Sequence, residues 1–496
     1  MPKKISFPIF LSVITAFISF FPLLINPKNP FFDVDPEVMY ISNAVANSDH
    51  HKFPFMGHPG TPYVLALSLS YAPLKFYAVH VSHQPFVEWY LANIRSVFYY
   101  SRLIAALIFT LGLFTLLWGI KKSTGSSWLT FLFWLLLFQL PDMLQYGMRV
   151  MPETPTLLLV GIWLLLFFRF LKKPSTNIAV IMTFLSAYSV GLKYTNLGIL
   201  TLSFCLGLYL EYTRSGFSCL LRRAFCLLIA GTAGYLAATW AIKSSYLVQL
   251  QWIYDLANHS DFYGSGNQTL FEWVVYRSSL LYNLNGLKLP IILFTFTLGV
   301  VNLKTSSEKL NRRLLQITFA NILIFFFLFA KFPKLHYQLP HLLITLALFT
   351  NQMKRNLLIT LPLAALLLWN LPKTVNTYWK VTDHIKKVQS LQVFIDQNPP
   401  KILTLWEWGY SRDFALLWGY WWSGEYYRSQ LNKIYPHLGL DARFEHALEL
   451  PFCWDQFYVQ NVSLQQFKLL NQGSGFRYQD IYDTGMTLVS SNHCAN

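Results

Sequence analysis

The chain has 496 residues, 54% of them hydrophobic, 17% aromatic and only 12% charged. Soluble domains carry roughly 25% charged residues, so this composition excludes an ordinary water-soluble protein. A formal net charge of +16 would suit a nucleic-acid binder, but the placement of the Lys and Arg residues makes it a topology signal and excludes nucleic acid as a partner.

Residues 5–25, 103–120, 128–141, 154–168, 178–192, 195–210, 224–242, 289–303, 314–330 and 357–371 contain no Asp, Glu, Lys or Arg. Several fall short of the roughly 20 residues that span hydrocarbon and reach that length with flanking snorkelling residues. Segment 337–350, apolar apart from His341, is read as a further span. The expectation is an all-α polytopic membrane protein with about eleven transmembrane helices. Lys3 and Lys4 precede the first run as in a signal peptide, but Phe20, Phe21, Pro22, Leu23 and Leu24 follow with no small-residue cleavage site. The first run is therefore read as an uncleaved span.

Basic residues recur after every second span: Lys3 and Lys4; Lys121 and Lys122; Arg169, Lys172 and Lys173; Arg214, Arg222 and Arg223; Lys304, Lys309, Arg312 and Arg313; Lys354 and Arg355. The short loops of the opposite side hold only Arg149, Lys193, Lys331 and Lys334. By the positive-inside rule the N-terminus is cytoplasmic and the tail lies outside. Residues 1–371 then form a multi-pass domain of the plasma or inner membrane, with outer loops near 27–96 and 244–286, and 372–496 an extracytoplasmic soluble domain.

The first outer loop opens with Asp33, Asp35 and Glu37, and a short amphipathic helix is expected over 37–47. His58-Pro59-Gly60-Thr61-Pro62 follows, with Thr61 as an N-cap and Pro62 as a first helical residue. A second helix is expected from there to about Tyr77, lying along the interface. The second outer loop is rich in aromatic residues, among them Trp252, Tyr254 and Trp273. The tail is read as a small α/β domain. A strand is expected in KILTLWEW, a helix from the capping box Ser463 and Gln466 to Leu470, and a strand over 478–489. Its cluster Trp406, Trp408, Trp418, Trp421 and Trp422 suits either stacking on a sugar or, the blander reading, an aromatic belt where the tail rests on the membrane. Cys453 and Cys494 lie where a disulfide is permitted, and Asn258, Asn267 and Asn461 open glycosylation sequons on the same side.

The acidic pair after the first span, Tyr40, and the His-Pro motif opening an interfacial helix resemble the GT-C glycosyltransferases. The branch is that of the protein O-mannosyltransferases and lipid A aminoarabinose transferases. Arg102 at the second span, RVMPETPTLLL, VGLKYTNLGIL and KLHYQLPHLL continue the resemblance in order over roughly residues 5–350. The family's acidic pair is often adjacent, whereas Pro36 here separates Asp35 from Glu37. Either acid could correspond to the family's catalytic one.

The resemblance implies transfer of a sugar from a polyprenyl-phosphate donor to an acceptor (lipid, glycan or protein) outside the cytoplasm. Such a transfer needs a carboxylate to accept the acceptor's proton, cations to offset charge on the departing phosphate, and an apolar groove for the prenyl chain. Asp35 is the expected base, with Glu37 as its rival; Glu153 would orient the acceptor or share that role. Lys193 is the expected phosphate cation, with Arg149, Lys334 and His336 beside it, Tyr337 in the same turn, and His58 lining the site. The bland alternatives are solvated loop acids at helix starts and cations snorkelling at helix ends. No cofactor is expected, and no metal, because no clustered ligand spacing stands in the sequence. The rival function is a transporter or lipid flippase of the envelope, although transporters usually place ionisable residues within their spans and often carry inverted repeats. A polymerase or ligase of surface glycans would share the lipid-carrier logic.

Overall fold

The computed structural model describes residues 6–25, 36–49, 60–140, 143–215, 219–258 and 335–353, and short pieces between 316 and 397. In the tail it describes 403–405, 412–423, 426–436, 456–460, 476–481 and 486–491. Run 289–303, most of 314–330 and 357–371, the loop beyond Asn258, the helix expected from Ser463, and Cys453 and Cys494 lie outside the described residues.

Those residues are mostly helical. In chain order they form α1 (Ser6–Ile25), α2 (Glu37–Ser48), α3 (Thr61–Ser70), α4 (Ala72–His80), α5 (Phe86–Ala92) and α6 (Ile94–Thr124). There follow α7 (Ser127–Phe138), α8 (Met143–Tyr146), α9 (Glu153–Lys172), α10 (Thr176–Val190), a 3-10 turn at Tyr194–Asn196, α11 (Leu197–Ser215) and α12 (Leu220–Thr239). Then come a 3-10 turn at Trp240–Ser245, α13 (Tyr246–Asn258), α14 (Leu335–Met353), and in the tail α15 (Arg412–Trp422) and α16 (Arg428–Ile434). Among the described residues three helical stretches are long and apolar enough to cross a membrane: Ile94–Thr124, Glu153–Lys172 and Leu220–Gln251. Other apolar runs form shorter helices; α7 has 12 residues, roughly 18 Å at 1.5 Å per residue against about 30 Å of hydrocarbon.

The longest packing seam joins α6 to α9. It closes where Gly112 meets the backbone of Leu158, 2.8 Å from where a Cβ would sit, and where Gly161 meets Thr115. Small residues let helix backbones approach, and dispersion then holds them where lipid offers no hydrophobic drive. This seam belongs to a first apolar core that includes Phe109, Leu116, Leu132, Trp163 and Leu343. Within it His341 Nδ1 lies 2.7 Å from Asn321 Oδ1.

A second core sits at the end of the bundle where α6 and α9 begin. It gathers Val38, Tyr40, Tyr63, Tyr71 and Tyr90 with Val97, Val150, Leu192, Tyr420 and Tyr427. The helix expected over 37–47 is α2, but it is not amphipathic in place: every residue from Glu37 to Ala46 is buried. Helices α3, α5 and α15 pack around it, so its polar side chains are enclosed too. The second expected helix bends at Tyr71 into α3 and α4, and its N-cap is Gly60, not Thr61. Pro73 supplies the second helical start, because a proline is favourable in a first turn and disruptive further in. The Tyr71 and Ser101 hydroxyls share a 2.6 Å hydrogen bond, and Tyr100 Oη donates to Ser70 O at 2.7 Å, tying this elbow to α6.

The tail reaches the same core. Tyr426 Oη donates to Asp49 Oδ2 at 2.8 Å, and Tyr435 Oη donates to Leu91 O at 2.9 Å. Trp418, partly buried, packs against this second core. Four strands, β1 (Leu403–Leu405), β2 (Gln456–Gln460), β3 (Phe476–Ile481) and β4 (Met486–Ser491), form one sheet in the order β1-β2-β4-β3. β1 runs parallel to β2 and the other pairs are antiparallel. The single strand expected over 478–489 is therefore two, β3 and β4, paired Phe476 to Ser491 through Ile481 to Met486.

Candidate functional site

Three connections converge at the start of α6 and α9. Glu37 is the first residue of α2 and fully buried, and Arg102, two turns into α6, is equally buried. Their contact is bidentate: Arg102 Nε donates to Glu37 Oε1 at 2.7 Å and Nη2 to Oε2 at 2.5 Å. The Val150 backbone N–H also donates to Glu37 Oε1, at 2.9 Å. A planar guanidinium matched to a carboxylate is the strongest ordinary form of ion pair. Here it binds the first loop to α6 and to the connection between α8 and α9.

That connection carries Arg149 and leads into Glu153, the first residue of α9. Arg149 is 4% exposed and its Nη1 lies 3.5 Å from Gln145 Oε1. Glu153 Oε1 accepts from Lys193 Nζ in a second buried ion pair. Lys193 precedes the Tyr194–Asn196 turn, which Asn196 fastens by donating from Nδ2 to Ser189 O at 2.7 Å and to Thr156 Oγ1 at 3.2 Å. Burial pulls the Lys193 ammonium below the ordinary lysine range, and Glu153 beside it pulls it back up.

Gly60 joins the first loop to this turn, donating from its backbone N to Gly191 O at 2.9 Å. Its φ of 141° suits glycine alone, and a Cβ there would run into the Tyr40 ring. One turn on, Tyr63 is 1% exposed. Burial raises its phenol well above the usual range, and the Glu37, Tyr71 and Glu153 groups near it raise it further.

Of the residues expected at the site, Glu37, Arg149, Glu153 and Lys193 are brought to this one place. His336 and Tyr337 lie in the first turn of α14, a helix that touches the Tyr194–Asn196 turn. Asp35, His58 and Lys334 lie outside the described residues. Among the described residues no group of three or more His, Cys, Asp or Glu side chains is placed to hold a metal ion.

Sequence reasoning missed Arg102 as the partner of Glu37, and Tyr63 altogether. A signal for Arg102 existed: Ile94, Val97, Phe98, Ser101, Arg102 and Ala105 recur at helical spacing on the buried face of α6. An arginine on such a stripe needs a carboxylate. Tyr63 carried no comparable mark, since an apolar tyrosine in an apolar helix is ordinary.

Chemically, the arrangement offers a carboxylate locked in place, a second with one oxygen engaged, an ammonium of reduced basicity, and a protonated phenol. Glu37, Glu153, Lys193 and Tyr63 are all buried, and charge is felt more strongly in the lower dielectric of a protein interior. No protein-family model matches the chain, and no curated protein matches it.

Proposed function

We propose that this chain is a membrane glycosyltransferase that moves a sugar from a polyprenyl-phosphate donor to an acceptor on the extracytoplasmic face. The observation that carries the reading is the convergence of Glu37, Arg149, Glu153 and Lys193, from three separate connections, into one enclosed charged cluster at one end of the helices. A protein whose spans served only as anchors would have no reason to bury two ion pairs there. The order of motifs resembling the GT-C enzymes supports the same reading.

In the proposed topology about eleven helices cross the bilayer, the cluster faces outward, and the tail is an extracytoplasmic α/β domain. The apolar side chains of Leu69, Phe76, Val79 and Val81, exposed around α4, support an interfacial position for that helix. Basic residues in the last turns of α6 and α9, remote from the cluster, support a cytoplasmic location for those ends.

In the proposed reaction an acceptor oxygen or nitrogen attacks the anomeric carbon of the donor sugar. The bond from that carbon to the phosphate oxygen breaks, polyprenyl phosphate leaves with the electron pair, and a carboxylate takes the acceptor's proton. Glu37 is badly placed to be that carboxylate: Oε1 accepts two bonds and Oε2 one, in a place closed to solvent. It acts instead as a positioning residue, and Asp35, two residues earlier on the same connection, is the base. Lys193 and Arg149 supply positive charge for the leaving phosphate, with Lys334, His336 and Tyr337 from the start of α14 and the residue before it, and His58 lining the site. Against the transporter or flippase reading, Glu37, Glu153 and Lys193 sit at helix ends and connections rather than along a path through the spans.

The test is transfer from radiolabelled polyprenyl-phosphate sugars in a host lipid extract, by the purified chain and its Asp35→Asn variant. Transfer that disappears in a folded variant supports the reading. Equal transfer by both removes Asp35 from the base role, and absence of transfer by the wild type across donors defeats the enzyme reading.

A further inference from the structure

A groove of about 350 Å³ lies at the far end of the bundle, where α9 stops. Its walls are Leu171 and Pro174 from the end of α9 and the residues after it, Leu202, Cys205 and Tyr209 from α11, and Ala320. From Leu202 to Tyr209 it follows α11 for roughly 10 Å, at 1.5 Å per residue. Cys205 and Tyr209 are exposed, so the groove is reached from outside the bundle.

The edge beside it is cationic. Lys172 and Lys173 stand in the chain between two of its lining residues, Leu171 and Pro174, and Arg169 is one turn earlier; all three are exposed. Arg223 Nη2 donates to Thr176 Oγ1 at 2.6 Å, which brings the basic start of α12 to the same connection. Between Thr154 and Tyr254 the only acid in the sequence is Glu211, so these elements hold little to offset that charge. Basic residues at a helix end are ordinary topology by themselves. An apolar groove running inward from them adds the complement of an amphiphile with an anionic head and an apolar chain, and basic pockets between membrane helices hold lipid headgroups in this way. The polyprenyl-phosphate donor is the wrong occupant: its phosphate belongs at the charged cluster, and Glu153 and Phe170 are roughly 25 Å apart along α9.

We propose that the groove between α9 and α11 seats one acyl chain of an anionic phospholipid, with the lipid phosphate on Lys172, Lys173 and Arg169. The site is separate from the glycosyltransferase reading and needs only a bilayer around α9.

The experiment uses the full chain in dodecyl maltoside micelles doped with dioleoyl phosphatidylglycerol or dioleoyl phosphatidylcholine. The readout is the rate at which N-ethylmaleimide alkylates Cys205, followed by peptide mass spectrometry. Cys226, exposed and outside the groove lining, is the internal control. Phosphatidylglycerol slows Cys205 alkylation at a mole fraction about 30-fold below that at which phosphatidylcholine does, and leaves Cys226 unchanged. The double variant Lys172→Gln with Lys173→Gln loses that advantage, a factor of about 5 for each lysine beside an anionic lipid. Glycerol 3-phosphate, a head without a chain, gives no protection. Equal protection by the two lipids overturns the proposal, as does a double variant that responds like the wild type. Protection by glycerol 3-phosphate would mean a free-anion site, and equal slowing of Cys226 a general effect of the micelle; either one sinks the seated lipid. The comparison of the two lipids uses the wild type alone, so misfolding of the variant cannot mask a failure.

Discussion

Arg102→Met removes the guanidinium from a site with no solvent exposure and leaves the Glu37 carboxylate held by the Val150 N–H. Breaking a buried ion pair from one side costs about 3–5 kcal/mol, most of it the penalty of an uncompensated charge. Glu37→Leu strands the arginine in turn, and also leaves the Val150 N–H without its acceptor, a further loss of about 1–3 kcal/mol. The double variant, Glu37→Leu with Arg102→Met, buries no charge. Replacing such a pair by apolar residues of similar volume is often neutral or better, so only the orphaned Val150 N–H should remain as a cost. The double variant is therefore expected to be more stable than Arg102→Met by roughly 2 kcal/mol, and than Glu37→Leu by about 3–5 kcal/mol, on these magnitudes. The assay is unfolding in mixed micelles on titration with dodecyl sulfate, followed by tryptophan fluorescence. Single variants costing under about 1 kcal/mol, the range of exposed pairs, would refute the reasoning. So would a double variant equal to the sum of the singles within about 0.5 kcal/mol.

Lys193→Met should cost about 3–5 kcal/mol by the same logic, and adding Glu153→Gln should recover part of it; the same titration measures both. Tyr63, Tyr71, Tyr90 and Tyr427 all ionise later in the folded chain than in the unfolded one, chiefly because they are buried. Above about pH 10 the unfolded state releases these protons and the folded state keeps them, so stability is full below that pH and falls by about 1.4 kcal/mol per tyrosine per pH unit above it. Tyrosinate absorbance should then rise together with unfolding, and a smooth rise well before unfolding would contradict the burial. Gly419→Ala would place a Cβ 2.8 Å from Tyr427 Oη and 3.0 Å from Val38 Cγ2. Overpacking of this kind costs about 1–3 kcal/mol, so α15 should lift from α2 and the tail should be cut sooner by added protease; unchanged cleavage would show that α15 does not hold the tail down.

The helical stretches were legible because uncharged runs and their periodicity are local properties of a chain. The starts of α2 and α3 were legible from the acidic residue, the Pro-Gly turn and Pro62, which act within a turn of their own positions. The extent of burial was not. Helix α2 carries Glu37, Ser42, Asn43, Asn47 and Ser48, a pattern that suggests a wet face. It is enclosed because α15, more than 360 residues later, covers it. The strands β3 and β4 merged into one in the sequence reading because residues of high strand propensity, Tyr478 and Ile481 in one and Thr487 and Val489 in the other, lie only a few positions apart.

By itself the sequence determined that this chain is too apolar and too sparsely charged to be an ordinary soluble protein, and which charged residues stand apart from its apolar runs. Those are consequences of composition and of spacing along one dimension. Which of those charges meet was decided only by tertiary structure. Glu37 finds Arg102 across 65 residues and Val150 across 113, and Glu153 finds Lys193 across 40. Such pairings depend on how the helices stack. A buried carboxylate tolerates only a partner that the stacking brings within hydrogen-bond reach, and nothing in the local sequence records which partner that will be.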